Sequence, residues 1–166
     1  MTALQVLARQ GYHLPVNAVY EGFAHVTSLT GLQGRWQQIQ DAPRTVCDTG
    51  HNTGGMQYIV QQLAAQSCDT LRIVMGMVND KDIGGVLSLL PKNAVYYFTQ
   101  ASVPRALPAQ EMQQKAQSYG LSGKAYSSVR EAYSEALQEC RPNDFIFVGG
   151  STFIVADFLR VIHEDY

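Results

Sequence analysis

Three glycine-containing stretches carry the side chains best suited to hold an anionic ligand: Asp48-Thr49-Gly50-His51-Asn52-Thr53-Gly54-Gly55, the segment from Gly76 through Asn79-Asp80-Lys81-Asp82, and Gly149-Gly150-Ser151. Each follows an apolar run and precedes a helical pattern, so backbone N–H groups at a helix start are available to an anion. Lys81, at a strand's carboxyl end, can meet a carboxylate as a point charge, and Ser151 adds a hydroxyl to free amides. The first stretch does not match G-x-G-x-x-G and lacks the Gly-Lys-Ser/Thr end of a phosphate-cradling loop. A dinucleotide fold or a self-sufficient P-loop enzyme is therefore unsupported. No Ser/His/Asp or Cys/His order and no metal-ligand spacing is present. Taken one at a time, the stretches are more simply helix starts, with Asp48, Asn52 or Asp82 as caps and His51, Lys81 and Arg35 as surface residues.

The elements that must position these residues read as alternating strands and helices. Trp36 to Ile39 and Thr45 to Asp48 are short strands around the turn Asp41-Ala42-Pro43. A helix follows with Met56, Ile59, Val60 and Leu63 on one face, then the apolar strand Leu71 to Met75, then a helix with Ile83, Val86, Leu87 and Leu90 inward. Ala94 to Thr99 is the next strand. Pro108 opens a helix with Met112, Ala116 and Tyr119 inward, ended by Gly120. Lys124 to Tyr126 is a weak strand, and Val129, Ala132, Tyr133, Ala136 and Leu137 recur at helical spacing after it. Phe145 to Val148 is a fully apolar strand, and a last helix runs from Thr152 to Ile162. Such a pattern specifies an α/β fold, a Rossmann-like, mainly parallel sheet with helices on both faces. Ligands bind outside the carboxyl ends of such strands, where the three stretches lie.

The first thirty residues differ in kind. Ala3 to Gln10 is helix-prone, and Val16, Val19, Phe23 and Val26 predict a second helix after Pro15. Neither has a local strand to pack on, which is expected of the tail of something larger.

Composition narrows the class. At 166 residues, 46% apolar and 16% charged, the chain has room for one globular domain with a short appendage. Twelve basic and fourteen acidic residues are mixed along it, with no basic run to favour nucleic acid. No apolar stretch reaches a membrane span, and no signal-peptide order opens the chain. Cys47, Cys68 and Cys140 read as reduced thiols of a cytoplasmic protein.

In order and context, Leu32-Gln33-Gly34-Arg35, Asp48-Thr49-Gly50-His51-Asn52, Asn79-Asp80-Lys81-Asp82 and Gly149-Gly150-Ser151 together resemble the C-terminal domain of bifunctional folylpolyglutamate/dihydrofolate synthases, a branch of the Mur ligase superfamily. The resemblance implies the Mur ligase C-terminal type of fold over residues 31–166, with residues 1–30 the tail and hinge of a preceding central ATPase domain. It implies an ATP-dependent ligase that joins L-glutamate to dihydropteroate or a folate through an acyl phosphate, with ATP and Mg2+ held mostly by that central domain. Arg35 is then the arginine that reaches ATP phosphate, and Asp48 takes the nucleotide ribose. His51, Lys81 and Ser151 form the glutamate pocket, with Arg35 and His51 in the catalytic set, and Asn52 organises the loop. No residue of this chain is expected to bind metal. Gln33 stands where the family often has proline, and Thr49 replaces a commoner small apolar residue. Without the P-loop the chain alone is expected to be inactive. A stand-alone, non-catalytic nucleotide- or amino-acid-binding module would share the same strand–helix pattern. So would a structural domain, at the cost of leaving Arg35, Asp48, His51 and Lys81 clustered by coincidence.

Overall fold

The structure, a computed structural model, describes residues 2–79 and 82–164. Two compact units divide the chain, Met1–Gln33 and Gly34–Tyr166.

The first unit holds α1 (Thr2–Arg9), α2 (Val16–Ala24) and α3 (Val26–Thr30). Pro15, at φ −59°, stands at the start of α2, and Gly31 closes α3 in the left-handed conformation. The single helix expected across Val16, Val19, Phe23 and Val26 is broken at His25, whose φ of −115° and ψ of 23° leave the helical region. None of the three helices buries a residue. Val16 and Leu29 are each 68% exposed. Helices this short draw their stability from tertiary packing, and these have little within their own unit.

The second unit contains β1 (Gln37–Asp41), β2 (Arg44–Asp48), α4 (Thr53–Ala64), β3 (Leu71–Met75), α5 (Ile83–Leu89), β4 (Val95–Phe98), α6 (Ala109–Gln117), β5 (Gly123–Ala125), α7 (Val129–Gln138), β6 (Phe145–Gly149) and α8 (Thr152–Glu164). They build one six-stranded sheet in the order β1-β2-β6-β3-β4-β5. All neighbours are parallel except the β1–β2 hairpin. This is the α/β fold that the alternating pattern predicts.

The period-two alternation of strand side chains sorts the core into two layers. On one face Val46, Ile73, Met75, Tyr96, Phe98, Phe145 and Phe147 pack against α4, α5 and α6. On the other, Cys47, Val74, Tyr97, Ile146 and Val148 pack against α7 and α8. Two details depart from the sequence reading. Trp36 lies outside β1, because its φ of 44° is incompatible with a strand. Tyr119 is exposed rather than inward, since α6 ends at Gln117 and the chain leaves the helical register before reaching it.

At the amino end of the sheet a buried polar pin joins three elements. Arg72 Nε donates to Asp144 at 2.9 Å, its Nη1 to the Tyr97 hydroxyl at 2.6 Å and its Nη2 to the Glu139 carbonyl at 2.7 Å. Tyr97 in turn donates to the Glu139 carboxylate at 2.5 Å. Burial alone would raise the Asp144 carboxyl, but the Arg141 amide and the Arg72 guanidinium outweigh it and hold it below the usual range. The bond from Tyr97 does the most to lower Glu139.

Two outcomes follow for stability. Amide exchange is expected to be fastest in residues 2–33 and slowest in β3 and β6. Uniform protection from the first helix onward would contradict the division into units. Arg72→Met leaves the Asp144 carboxylate, whose side chain is 0% exposed, without its cation. The cost is about 3–5 kcal/mol in urea unfolding. Because the folded pKa of Asp144 is depressed, its contribution is present above the ordinary carboxylate value, about 3.9, and is lost as pH falls through the lower folded value. A variant as stable as the parent at pH 7, with an unchanged acid limb, would rule the pin out.

Candidate functional site

Sheet register brings the three stretches level. Asp48 is paired with Gly149, and Gly149 with Met75, across the neighbouring strands β2, β6 and β3. The segments that begin at Thr49, Gly150 and Gly76 therefore leave the sheet side by side. α4 and α5 pack on one face and α8 on the other. The helix that follows β6 thus goes to the opposite face from those that follow its neighbours β2 and β3, the arrangement at which open α/β sheets bind ligands beyond the strand ends.

Each loop is shaped by its own polar groups. Asn52 Oδ1 accepts the Gly55 N–H at 2.8 Å and so starts α4. Asp82 Oδ1 accepts the Gly85 N–H at 3.0 Å and starts α5. Ser151 Oγ accepts the Ile154 N–H at 3.1 Å and starts α8. Ser151 is buried, so it shapes the turn first, and its hydroxyl proton remains to be donated. At Gly150, φ is 92° and a Cβ would stand 2.7 Å from the Gly76 carbonyl oxygen, which only glycine avoids. His51 is exposed, with Nδ1 3.1 Å from the Thr49 carbonyl. That contact needs the proton on Nδ1, which in the neutral ring leaves Nε2 as the free acceptor.

Asp48 does something the sequence does not reveal. Its Oδ2 accepts the Trp36 N–H at 2.7 Å and its Oδ1 the Gly50 N–H at 2.8 Å. A third bond, Thr49 N–H to Gly34 carbonyl at 2.9 Å, runs alongside. The carboxylate therefore clamps the turn before β1 onto the loop after β2. Arg35 sits in that turn, between Gly34 at φ 71° and Trp36 at φ 44°. A Cβ at Gly34 would stand 2.7 Å from Thr49 Cγ2 and 3.1 Å from Val155 Cγ1. For tryptophan the left-handed region costs of order 1–3 kcal/mol. It is offset by the charged hydrogen bond and by the indole, whose centroid lies 6.4 Å from the Phe145 ring and 6.1 Å from that of Phe147. The Arg35 side chain is exposed, and it makes no hydrogen bond or ion pair with another described residue. A strained, double-anchored turn that presents a free guanidinium is an arrangement found at functional sites.

Other residues bear on the chemistry. Lys81 lies outside the described residues, as does Asp80. All three cysteines are free thiols. Cys47, directly before Asp48, is pushed up to about 12, by burial first and by the Asp48 charge second, so it is no nucleophile at neutral pH. Among the described residues no three His, Cys, Asp or Glu side chains converge to hold a metal ion, and no helix is long and apolar enough to cross a membrane. The sequence reading passed over a fourth loop, residues 99–108 after β4. It is zipped onto the segment after β3 by Leu107 N–H to Met77 carbonyl at 2.9 Å and Asn79 N–H to Arg105 carbonyl at 3.1 Å. The rule that pointed to β2, β3 and β6 applies equally to β4, and it would have found this loop.

The clamp can be tested without substrate. Asp48→Asn replaces one acceptor by an NH2 group that faces an N–H donor. Stability should fall by about 1–3 kcal/mol, and the Trp36 or Gly50 amide should exchange faster than in the parent. Unchanged protection at both amides would mean that the carboxylate does not hold the turn.

Residues 34–152 match the family model described as Mur ligase, glutamate ligase domain. The match begins at Gly34, where the second compact unit begins. The dihydrofolate synthase/folylpolyglutamate synthase of Escherichia coli (strain K12) is 30% identical over 164 residues, 97% of this chain and 37% of that protein. The structure of E. coli FolC in complex with DHPP and ADP superimposes with a TM-score of 0.84 at 29% identity, covering 99% of this chain and 38% of that one. A bifunctional folylpolyglutamate synthase/dihydrofolate synthase solved with Mn, AMPPNP and L-glutamate bound has a TM-score of 0.81 at 29% identity, covering 98% of this chain and 38% of that one. The chain thus spans less than two-fifths of the length of these relatives and corresponds to their C-terminal portion. With its sheet, its level loops and the matched stretch taken together, the chain belongs to the Mur ligase family, as a glutamate ligase domain.

Proposed function

We propose that this chain is the amino-acid-binding, C-terminal part of a cytoplasmic ATP-dependent amide ligase that adds L-glutamate to dihydropteroate or a folate. The observation that carries the reading is the level start of three loops on adjacent strands, with the turn that bears Arg35 tied to the first of them by Asp48. In this reading residues 1–30 are the tail and hinge of a central ATPase domain, which supplies the P-loop and the metal ligands. The exposed apolar side chains of α1 to α3 support a partner surface of that kind. ATP with Mg2+ is the co-substrate, held mostly by the central domain in this reading.

The reaction runs in two steps. The substrate carboxylate attacks the γ-phosphorus of ATP, ADP leaves, and an acyl phosphate forms. The amine of glutamate then attacks the acyl carbon, the bond to phosphate breaks, and an amide results as the amine loses its proton. We assign Arg35 to the phosphate, where a planar guanidinium suits the charge that spreads during transfer. Asp48 keeps lone pairs beyond the two used in the clamp, and we assign these to the nucleotide ribose. His51, with Nε2 free, accepts a hydrogen bond from the incoming amine. Lys81 faces a glutamate carboxylate, and the Ser151 hydroxyl proton adds a second bond. Asn52 acts through its cap.

The test is kinetic, in the complete ligase that carries this chain. Lys81→Ala should raise the KM for glutamate about ten- to a hundredfold and leave the KM for ATP nearly unchanged. Arg35→Ala should act mainly on kcat, because the charge it meets is greatest in the transition state. Lys124→Ala is the control, since Lys124 is exposed on β5 beside Glu135 and Glu139. A folded Lys81→Ala protein with unaltered constants would return Lys81 to the solvated surface.

A further inference from the structure

The turn Gly34-Arg35-Trp36 is held more tightly than a lead into the edge strand β1 requires. Both peptide groups that flank the Arg35 Cα are tied to the loop after β2. The Gly34 carbonyl accepts the Thr49 N–H at 2.9 Å, and the Trp36 N–H donates to Asp48 Oδ2 at 2.7 Å. The Gly34 N–H donates to Gln37 Oε1 at 2.8 Å, which closes the turn on itself. Peptide groups are planar, so fixing the two around Arg35 also fixes the direction of its Cα–Cβ bond. Bulky residues rarely take a φ of 44°, so Trp36 is held there by contacts outside the turn. Its half-buried indole supplies them, stacked on Phe145 and Phe147 of β6, the parallel neighbour of β2.

The Arg35 side chain, by contrast, is exposed. A residue that only plugs the core needs the ring but no anchored amide, and one that only closes a loop needs the amide but no ring. Trp36 has both, and its anchored amide belongs to the peptide group that follows Arg35. We infer that Trp36 is a positioning residue that acts through Arg35. The ring seated on β6 and the amide bound to Asp48 together hold the guanidinium ready for the transferring phosphoryl group. The inference rests on the assignment of Arg35 to phosphate. An arginine on a loose turn would lose backbone as well as side-chain freedom on reaching the transition state, whereas here the backbone part is already lost on folding. Such preorganisation acts on turnover, because developing charge is met without movement of the turn.

The experiment is a double-mutant cycle in the complete ligase that carries this chain. Trp36→Ala should lower kcat about ten- to a hundredfold, the loss expected when a reacting group is misplaced by about 1 Å. The KM for glutamate should stay unchanged. In the Arg35→Ala background the same substitution should change kcat less than about twofold, because the group it positions is already gone. Trp36→Phe, which keeps an aromatic ring on β6, should recover part of the loss. Gln37→Ala, which removes the acceptor of the Gly34 N–H, should show a smaller loss of the same kind. Where Trp36→Ala does not fold, the cycle is run with these two variants instead. Losses that multiply in the double variant overturn the inference, because the effect of Trp36 then does not pass through Arg35. A folded Trp36→Ala ligase with unchanged kcat overturns it as well. An Arg35→Ala ligase with unchanged kcat strikes at the phosphate assignment itself, and the inference falls with it.

Discussion

Two carboxylate oxygens of one residue tie the turn before β1 to the loop after β2. Asp48 accepts the Trp36 N–H with one and the Gly50 N–H with the other, so the turn before β1 cannot move without the loop after β2. Everything proposed for Arg35 depends on that tie. Without it, Trp36 would be free to leave the left-handed region, and the guanidinium would swing with the turn. The clamp in turn depends on the sheet, because Asp48 is the last residue of β2 and is paired with Gly149 of the central strand β6.

The two ends of the sheet use their charged groups in opposite ways. At the amino end Arg72 is nearly saturated by Asp144, Tyr97 and Glu139, which ties β3, β4 and the end of α7 into one network. Such an arrangement serves the fold and has no donor to spare for a ligand. At the carboxyl end, Arg35 is exposed and the Arg105 guanidinium lies over the Phe153 ring, neither with a hydrogen bond to another described side chain. Buried charge is tolerated where it is fully paired, and free charge where water or a ligand can reach it. The segregation follows from the parallel strands, which send every functional loop to the same end.

The helix N-termini add to this. Asn52, Asp82 and Ser151 each satisfy one amide of the first turn, so α4, α5 and α8 begin at defined positions. Their remaining first-turn amides, with the positive end of the helix dipole, favour anions beyond the carboxyl ends of the strands. That field is built here from short polar side chains.

What could be read from the chain alone was what repeats or punctuates. Apolar runs such as Leu71–Met75 and Phe145–Gly149 are long enough to mark buried strands, and spacings such as Met56, Ile59, Leu63 mark a helix face, so the α/β class and the positions of three loops were legible. The candidate site residues stood out only as a set, because a lone Asp-Thr-Gly-His-Asn is also an ordinary helix start. Contacts between residues far apart in sequence were not legible. The pairing of Trp36 with Asp48 spans twelve positions, and Arg105 reaches Phe153 across two intervening strands of chain; neither has a local signal. The left-handed Trp36 is against its own preference and exists because a carboxylate and two phenylalanine rings outweigh that preference. Local propensity therefore determined which segments are strands and helices. Tertiary register, which sets Asp48, Gly149 and Met75 side by side, decided that their loops leave the sheet together.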